Sequence, residues 1–163
     1  MKTAILVISF GTSHRDTLEK TIGAVEKKLK HEFKTDVFRA FTSGMIIKKL
    51  RERDGIEIDT VDEALDKLYK SGYTDIFCVP THIMCGIEYD KACRMIEKFN
   101  DKMKIRISRP LVTETIDYYS IVDIFKHRLT DKKQTLRFLW DTAATILRMP
   151  PTPLLIITLK MPI

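Results

Sequence analysis

The sequence predicts an α/β fold, a Rossmann-like parallel sheet with helices on both faces. Two stretches, Ala4–Ser13 and Ile76–Gly86, share one pattern: an apolar run rich in branched side chains, then a turn of small or polar residues, then a helical pattern. Such runs are typical of strands that are buried on both faces of a parallel sheet. Strand and helix patterns also alternate along the chain, and this alternation favours a parallel sheet covered on both sides.

The region after the first strand predicts a helix and a second strand. Apolar residues recur at helical spacing among charges over Asp16–Lys34, which indicates one helix. Thr12, Ser13 or Asp16 can supply its N-cap, because short polar side chains accept hydrogen bonds from the first free amides of a helix. Asp36–Phe41 alternates polar and apolar residues and predicts the second strand.

The next region predicts two helices in succession. The first runs to about Arg53 and has Thr42 or Ser43 as its cap. Asp54–Asp59 then reads as a turn and a short extended piece. Thr60–Glu63 has the Ser/Thr-x-x-Glu spacing of a capping box and predicts the start of the second helix.

The remaining elements complete the alternation. The second helix ends near Gly72, where glycine suits a helix C-cap. Ile76–Val79 is the third strand, and a helix over about Glu88–Asn100 leads to a fourth strand at Lys104–Ser108. A last amphipathic helix is expected over about Tyr118–Leu129.

Composition limits the function classes. The 163 residues are 44% hydrophobic, enough for one ordinary domain. No signal peptide or membrane span is expected, so we predict a cytoplasmic protein without a membrane partner. The three cysteines have no CxxC spacing, which favours free thiols. The net charge is +6. Over residues 1–130 basic and acidic residues are interspersed and form no basic stripe, so the surface suits an acidic small molecule better than nucleic acid.

Two loops are the first candidates for a site. Carboxyl ends of parallel strands meet at one sheet edge, so Ser9–Ser13 and Thr81–Gly86 should emerge together. Ser9, Phe10, Gly11 and Thr12 offer hydroxyls and close backbone approach, as an anion-binding loop does. The loop lacks both G-x-G-x-x-G and G-x-x-x-x-G-K-[ST], so a capped loop without a ligand is the competing interpretation.

His82 is the candidate catalytic residue. Imidazole titrates near neutral pH and also binds transition metals. The competing interpretation is a histidine whose ring hydrogen-bonds to the loop backbone. The acidic residues of Glu88–Asp90 could assist metal or proton transfer, or they could only offset the helix dipole.

Four strings of the sequence are distinctive: Val7–Ser13, Phe38–Ile46, Arg53–Ile56, and Thr81–Ile83 with Glu88–Tyr89. Together they resemble the anaerobic-pathway sirohydrochlorin cobalt chelatases, a class II chelatase family. The resemblance covers residues 1–130, and its most specific part is the string from Arg39 to Ile46. One departure is Cys85, where the family more usually has Asn.

The resemblance implies a lyase that inserts Co²⁺ into sirohydrochlorin in cobalamin synthesis. It implies two similar α/β domains around a cleft, of which residues 1–130 would be the N-terminal one. No cofactor beyond the substrate metal Co²⁺ is implied; the partners are sirohydrochlorin and Co²⁺, and a homo-oligomer is left open. Ser9, Phe10, Gly11, Thr12 and His82 would then bind the tetrapyrrole. The alternative is a noncatalytic tetrapyrrole- or metal-binding half-module that needs a partner chain.

Residues 131–163 form an atypical tail. This segment contains no Gly, Glu, Ser, Val or Tyr, yet it holds four of the six prolines and the one Trp. The resemblance places a metal-binding Met-Gly-His-Gly motif just past residue 135, and the sequence has no such motif, so we assign no metal ligand. Read one nucleotide out of phase, Leu139–Ala143 can encode Met-Gly-His-Gly. We therefore predict a frameshift between about Lys132 and Arg137, which leaves a truncated and poorly active form. The nucleotide sequence tests this, because a shifted frame without Gly-His-Gly codons would refute it.

Overall fold

The computed structural model of the protein describes residues 2–128. Of these, residues 2–113 form one compact unit and residues 114–128 belong to a second one. Strands and helices alternate throughout the first unit. Its elements are β1 (Thr3–Ser9), α1 (Arg15–Lys20), α2 (Ile22–Phe33), β2 (Asp36–Phe41), α3 (Gly44–Asp54), α4 (Val61–Lys70), β3 (Asp75–Pro80), α5 (Ile87–Glu97) and β4 (Lys104–Ile107).

The four strands form one parallel sheet in the order β2-β1-β3-β4. Strand β1 lies between β2 and β3, with Ser9 opposite Phe41 and Ile8 opposite Pro80. From Ala4 to Ser9 every residue of β1 is buried, because β1 has a strand on either side and helices on both faces. The predicted α/β parallel sheet is confirmed.

The two faces of the sheet carry separate hydrophobic clusters. Leu6 and Ile8 point to one face and pack with Leu65 and other buried residues of α4 and α5. On the opposite face, Phe41 packs with apolar residues of α1, α2 and α3, such as Leu50. Side chains alternate between the faces of a strand, so β2 contributes Ala40 to the first cluster and Phe41 to the second. Helices therefore cover both faces, as the sequence predicts.

The capping signals act as predicted at two helices. The Thr60 hydroxyl accepts from the Glu63 amide at 3.3 Å, and the Glu63 carboxylate accepts from the Thr60 amide at 2.8 Å, which completes the capping box of α4. These bonds hold the pKa of Glu63 below its usual value. At α3, the Ser43 hydroxyl accepts from the Ile46 amide.

The prediction of one helix over Asp16–Lys34 is wrong. The helix is broken at Thr21, whose backbone leaves the helical region at φ −114° and ψ −82°. The Thr21 hydroxyl donates to the Thr17 carbonyl at 2.6 Å, and the same carbonyl accepts from the Thr21 amide at 3.0 Å. A threonine hydroxyl bonded back to the preceding turn in this way bends a helix. The N-cap is also different, because His14 occupies that position without a side-chain cap, and the Thr12 hydroxyl accepts from the His14 amide instead.

The second unit contributes one described helix, α6, over Thr115–Arg128. It starts three residues before the predicted position, and the Asp117 carboxylate accepts from the Glu114 amide in its first turn. Its apolar residues are distributed around the axis, so the predicted amphipathic pattern is not seen. The tail at 131–163 lies outside the described residues, and the boundary at residue 130 stays a prediction. Within residues 2–128 no helix has the length and apolarity needed to cross a membrane.

Candidate functional site

The carboxyl edge of the sheet carries four loops that lie side by side. We call this surface the ledge; it consists of residues 9–13, 42–44, 81–86 and 109–112. Strand β2 lies to one side of β1, and β3 lies to the other. The connections therefore diverge from β1, and in open parallel sheets ligands bind in the crevice that such a divergence creates.

Hydrogen bonds join neighbouring loops of the ledge. The Thr42 amide donates to the Ser9 carbonyl at 2.9 Å, which ties the loop after β2 to the loop after β1. The Thr81 amide donates to the Ile8 carbonyl at 2.8 Å, which ties in the loop after β3. The Leu111 amide donates to the His82 carbonyl at 3.3 Å, which adds the loop after β4. The ledge is thus one connected surface.

Ser9 and Thr81 connect the two loops that the sequence singles out. The Thr81 hydroxyl donates to the Ser9 hydroxyl at 2.9 Å, and Ser9 is 1% exposed. The structure therefore places Ser9 beneath the surface, where it holds the loops together. Of the neighbouring candidates, Phe10 is half exposed and Thr12 is partly exposed.

Position 11 requires glycine because of its backbone conformation and its packing against Phe41. Its φ is +101°, a backbone conformation that residues with a Cβ rarely adopt. A Cβ at this position would lie 2.6 Å from the ring of Phe41, which is completely buried and cannot move aside. Because Gly11 has no Cβ, the loop after β1 can lie against the ring of Phe41.

His82 is half-buried and its ring is unpartnered. Both ring nitrogens are inaccessible to solvent and have no hydrogen-bond partner among the described residues. Burial lowers the pKa of His82 below its usual value, and the charge of Glu88 opposes that shift. The ring edge contacts Tyr89, with centroids 6.4 Å apart. A neutral imidazole near pH 7 can accept a proton or bind a metal ion. The backbone-bonded alternative is not observed for this ring.

Polar groups of α5 and of the loop after β2 stand near each other at the ledge. The Lys91 ammonium donates to the Thr42 carbonyl at 2.6 Å and lies 3.9 Å from a Glu88 carboxylate oxygen. That Glu88 oxygen and the Thr42 hydroxyl are buried without a hydrogen-bond partner in residues 2–128. Buried polar groups in proteins are normally paired, so several orphaned groups in one place point to a ligand or to water.

Large apolar side chains are exposed on the same four loops or on the first turns of the helices that follow them. Each of the four loops, or the first turn of the helix after it, exposes at least one such side chain. We call this set the apolar collar: Phe10 (47% exposed), Met45 (75%), Ile83 (60%), Ile87 (82%) and Leu111 (70%). A contiguous exposed apolar patch rimmed by polar residues marks an interaction site.

Comparison with known proteins decides the family. The family model described as "Cobalt chelatase (CbiK)" matches residues 3–141. The chain belongs to the CbiK cobalt chelatase family. The match runs past residue 130 into the tail.

Two relatives of this CbiK-family chain place it further. The "Sirohydrochlorin cobaltochelatase" of Salmonella typhimurium is 43% identical over 137 residues, which are 83% of this chain and 52% of the relative. The chain thus spans about half the length of that curated relative. A solved structure of a CbiX protein of cobalamin (vitamin B12) biosynthesis from Marinobacter aquaeolei aligns with a TM-score of 0.53 at 16% identity, over 78% of this chain and 97% of that chain. At this identity the likeness shows the fold alone.

The described part of this family member holds no preformed metal site. Among residues 2–128 no three His, Cys, Asp or Glu side chains are grouped to hold an ion. The three cysteines are free, as expected, and burial raises the pKa of the Cys78 thiol to about 12, which leaves it unreactive. Cys85 is exposed at the ledge.

Sequence reasoning missed two polar residues of the site, Thr42 and Lys91. Thr42 entered the sequence analysis only as a helix cap, and Ser43 takes that role. Lys91 is 49 residues from Thr42 in the chain, and no local pattern predicts their contact. The one available signal was the i,i+3 spacing of Glu88 and Lys91 on a helix that starts at the ledge.

Proposed function

We propose that this chain forms one wall of a chelatase cleft that binds sirohydrochlorin for insertion of Co²⁺. The observation that carries the proposal is the ledge, whose loops and following helices bear both the exposed apolar collar and buried, unpartnered polar groups, in a member of a cobalt chelatase family. Co²⁺ and sirohydrochlorin are substrates in this proposal. The name of the Salmonella relative supports this choice of ring and metal.

The collar suits a flat macrocycle. A tetrapyrrole ring has broad apolar faces, and ligand sites in proteins bury such faces against hydrophobic side chains while a few polar groups fix the orientation. Phe10 and Ile87 stand on the loops after β1 and β3, the two neighbouring strands at which the connections diverge. A ring packed against both side chains would span the loops after β1 and β3, which also carry Thr12 and His82.

His82 is the proposed proton acceptor. Insertion of a divalent metal replaces two pyrrole N–H bonds by metal–nitrogen bonds and releases two protons; His82 would accept one of them and solvent water the other. Burial lowers the pKa of His82, which favours the neutral ring, the form that accepts a proton. Glu88, whose charge acts on the ring, would stabilise the imidazolium that results.

We further infer that this 163-residue chain inserts Co²⁺ poorly by itself. The sequence has no Met-Gly-His-Gly run, and the out-of-frame reading of the tail supplies a reason. The second candidate function is a noncatalytic half-module that completes a cleft with another chain. Copurification with a chain that carries a Gly-His-Gly loop would favour this second candidate. Rapid Co²⁺ insertion by the purified 163-residue chain would contradict both the inferred poor insertion and the noncatalytic half-module.

Ring binding tests the proposal. We expect an octacarboxylic porphyrin to bind the chain, and we expect Phe10→Ser to weaken binding roughly tenfold, because burial of a phenyl group contributes about 1.5–3 kcal/mol. The matched control is Phe33→Ser on α2, since Phe33 is 64% exposed and lies outside the ledge. Porphyrin fluorescence titration measures both. Equal affinity for the two variants would contradict the proposed site.

A further inference from the structure

We propose that Lys91 binds a carboxylate of the ring, which makes it the anchor for one acidic side chain of the substrate. The inference rests on the proposed function and assigns a binding role that neither the sequence patterns nor the family description supplies. It depends on where the Lys91 ammonium is held and on what surrounds it.

The Lys91 ammonium is fixed in place but not satisfied. It donates one hydrogen bond, at 2.6 Å, to the Thr42 carbonyl on the far side of the β1 loop. The Glu88 oxygen at 3.9 Å forms an ion pair with the ammonium but is beyond hydrogen-bond distance. An ammonium has three donors, so two of them have no acceptor among the described residues. The side chain remains 37% exposed, which leaves its charge reachable from the ledge.

The Thr42 hydroxyl, on the residue whose carbonyl holds the ammonium, also lacks a hydrogen-bond partner in the described part of the chain. Thr42 is 3% exposed and its hydroxyl has no partner in residues 2–128. A carboxylate placed beside the Lys91 ammonium could accept from its remaining donors, since the side chain is 37% exposed. Charge-assisted bonds of this kind are stronger than bonds between neutral groups, so one anchored acid could fix the rotation of the ring.

A purely structural role is the competing explanation. Lys91 would then only tie α5 to the loop after β2 through the Thr42 carbonyl. The two roles differ in one respect: a tie supports every ligand equally, whereas an anchor supports a ligand only if the ligand is acidic. The test therefore needs two ligands as well as two protein variants.

The experiment measures the affinity of the full 163-residue chain for two probes. One is an octacarboxylic porphyrin, and the other is the same ring with its acids converted to neutral, water-soluble amides. We expect Lys91→Met to weaken binding of the acid about tenfold and to change binding of the amide less than twofold, with Lys91→Arg restoring most of the loss. Lys98→Met is the matched control, because Lys98 lies next to the end of the same helix and pairs with Asp62 at 3.1 Å. It should leave both affinities unchanged.

The outcomes separate the two proposals. Equal loss for both ligands in Lys91→Met assigns the lysine to structure alone and overturns the anchor, as does no loss for either ligand. Thermal melting of the variants shows whether an equal loss comes from misfolding. A wild-type chain that binds neither ring refutes the proposed function, and the anchor is overturned with it. Wild-type binding without the selective loss refutes the anchor alone.

Discussion

Replacing Gly11 with alanine is expected to destabilise the protein by roughly 3 kcal/mol, from strained backbone and overpacking together. Gly11 has a φ of +101°, and an added Cβ would lie 2.6 Å from Phe41, which is fully buried. The ring has no room to retreat, so the loop after β1 would have to shift instead. We also expect weaker porphyrin binding, because that loop carries Phe10.

Gly44→Ala is the matched control for Gly11→Ala. Gly44 starts α3, its φ is not positive, and no atom lies within 4 Å of an added Cβ. Its replacement should change stability by less than about 0.5 kcal/mol. Urea denaturation monitored by circular dichroism measures both variants. Equal midpoints for the two would contradict the packing described for Gly11.

Replacing Arg106 with methionine is expected to cost about 2–4 kcal/mol, because it leaves a buried carboxylate without its cation. Asp75 begins β3 and its side chain is 6% exposed; both of its oxygens accept from Arg106 at 2.7 Å. The Arg106 guanidinium also lies 3.6 Å from the centre of the Phe77 ring. The lower end of the range allows for the partial exposure of Arg106, which is 44%.

Two comparisons isolate the cause of the Arg106 effect. Lys104→Met removes a cation from the same strand at an exposed position and should cost less than about 0.5 kcal/mol. Adding Asp75→Asn to Arg106→Met should recover part of the loss, since the uncompensated charge is then gone. If Arg106→Met alone were as stable as the wild type, the buried Asp75 carboxylate would not need Arg106 for its stability, and the prediction would be wrong.

Local sequence signals predicted most of the fold. Alternation of polar and apolar residues predicted the bounds of β2, and the Thr-x-x-Glu spacing predicted the capping box at Thr60. Both signals lie within a few residues, and long-range contacts did not override them. The break at Thr21 was missed because the apolar spacing continues across it. The bond from the Thr21 hydroxyl to the Thr17 carbonyl, which also accepts from the Thr21 amide, has no distinct sequence pattern.

The site was predicted only in part because its contacts are long-range. Parallel strands bring the loops at Ser9 and Thr81 to one edge, so their meeting follows from the fold. The direction of each side chain does not follow from the fold. From the sequence we expected the Ser9 hydroxyl to face a ligand, whereas in the structure Ser9 is buried. The sequence also gave no sign that the Lys91 side chain reaches Thr42. For Gly11, the sequence could not distinguish close approach of a ligand from close approach of Phe41.

The central claim is that the ring binds on the ledge, and amide chemical-shift mapping with an octacarboxylic porphyrin tests it most directly. A competing location exists, a groove of about 410 Å³ beside β2 and α4 that is lined by Phe38, Lys67 and Ser71 among others. Its Lys67 already pairs with Asp59 at 2.6 Å, so it offers an acid little unpaired charge. We predict shifts concentrated at Phe10–Thr12, Thr42–Ser43 and Thr81–His82. Shifts confined to the groove, with an unchanged ledge, would contradict the account.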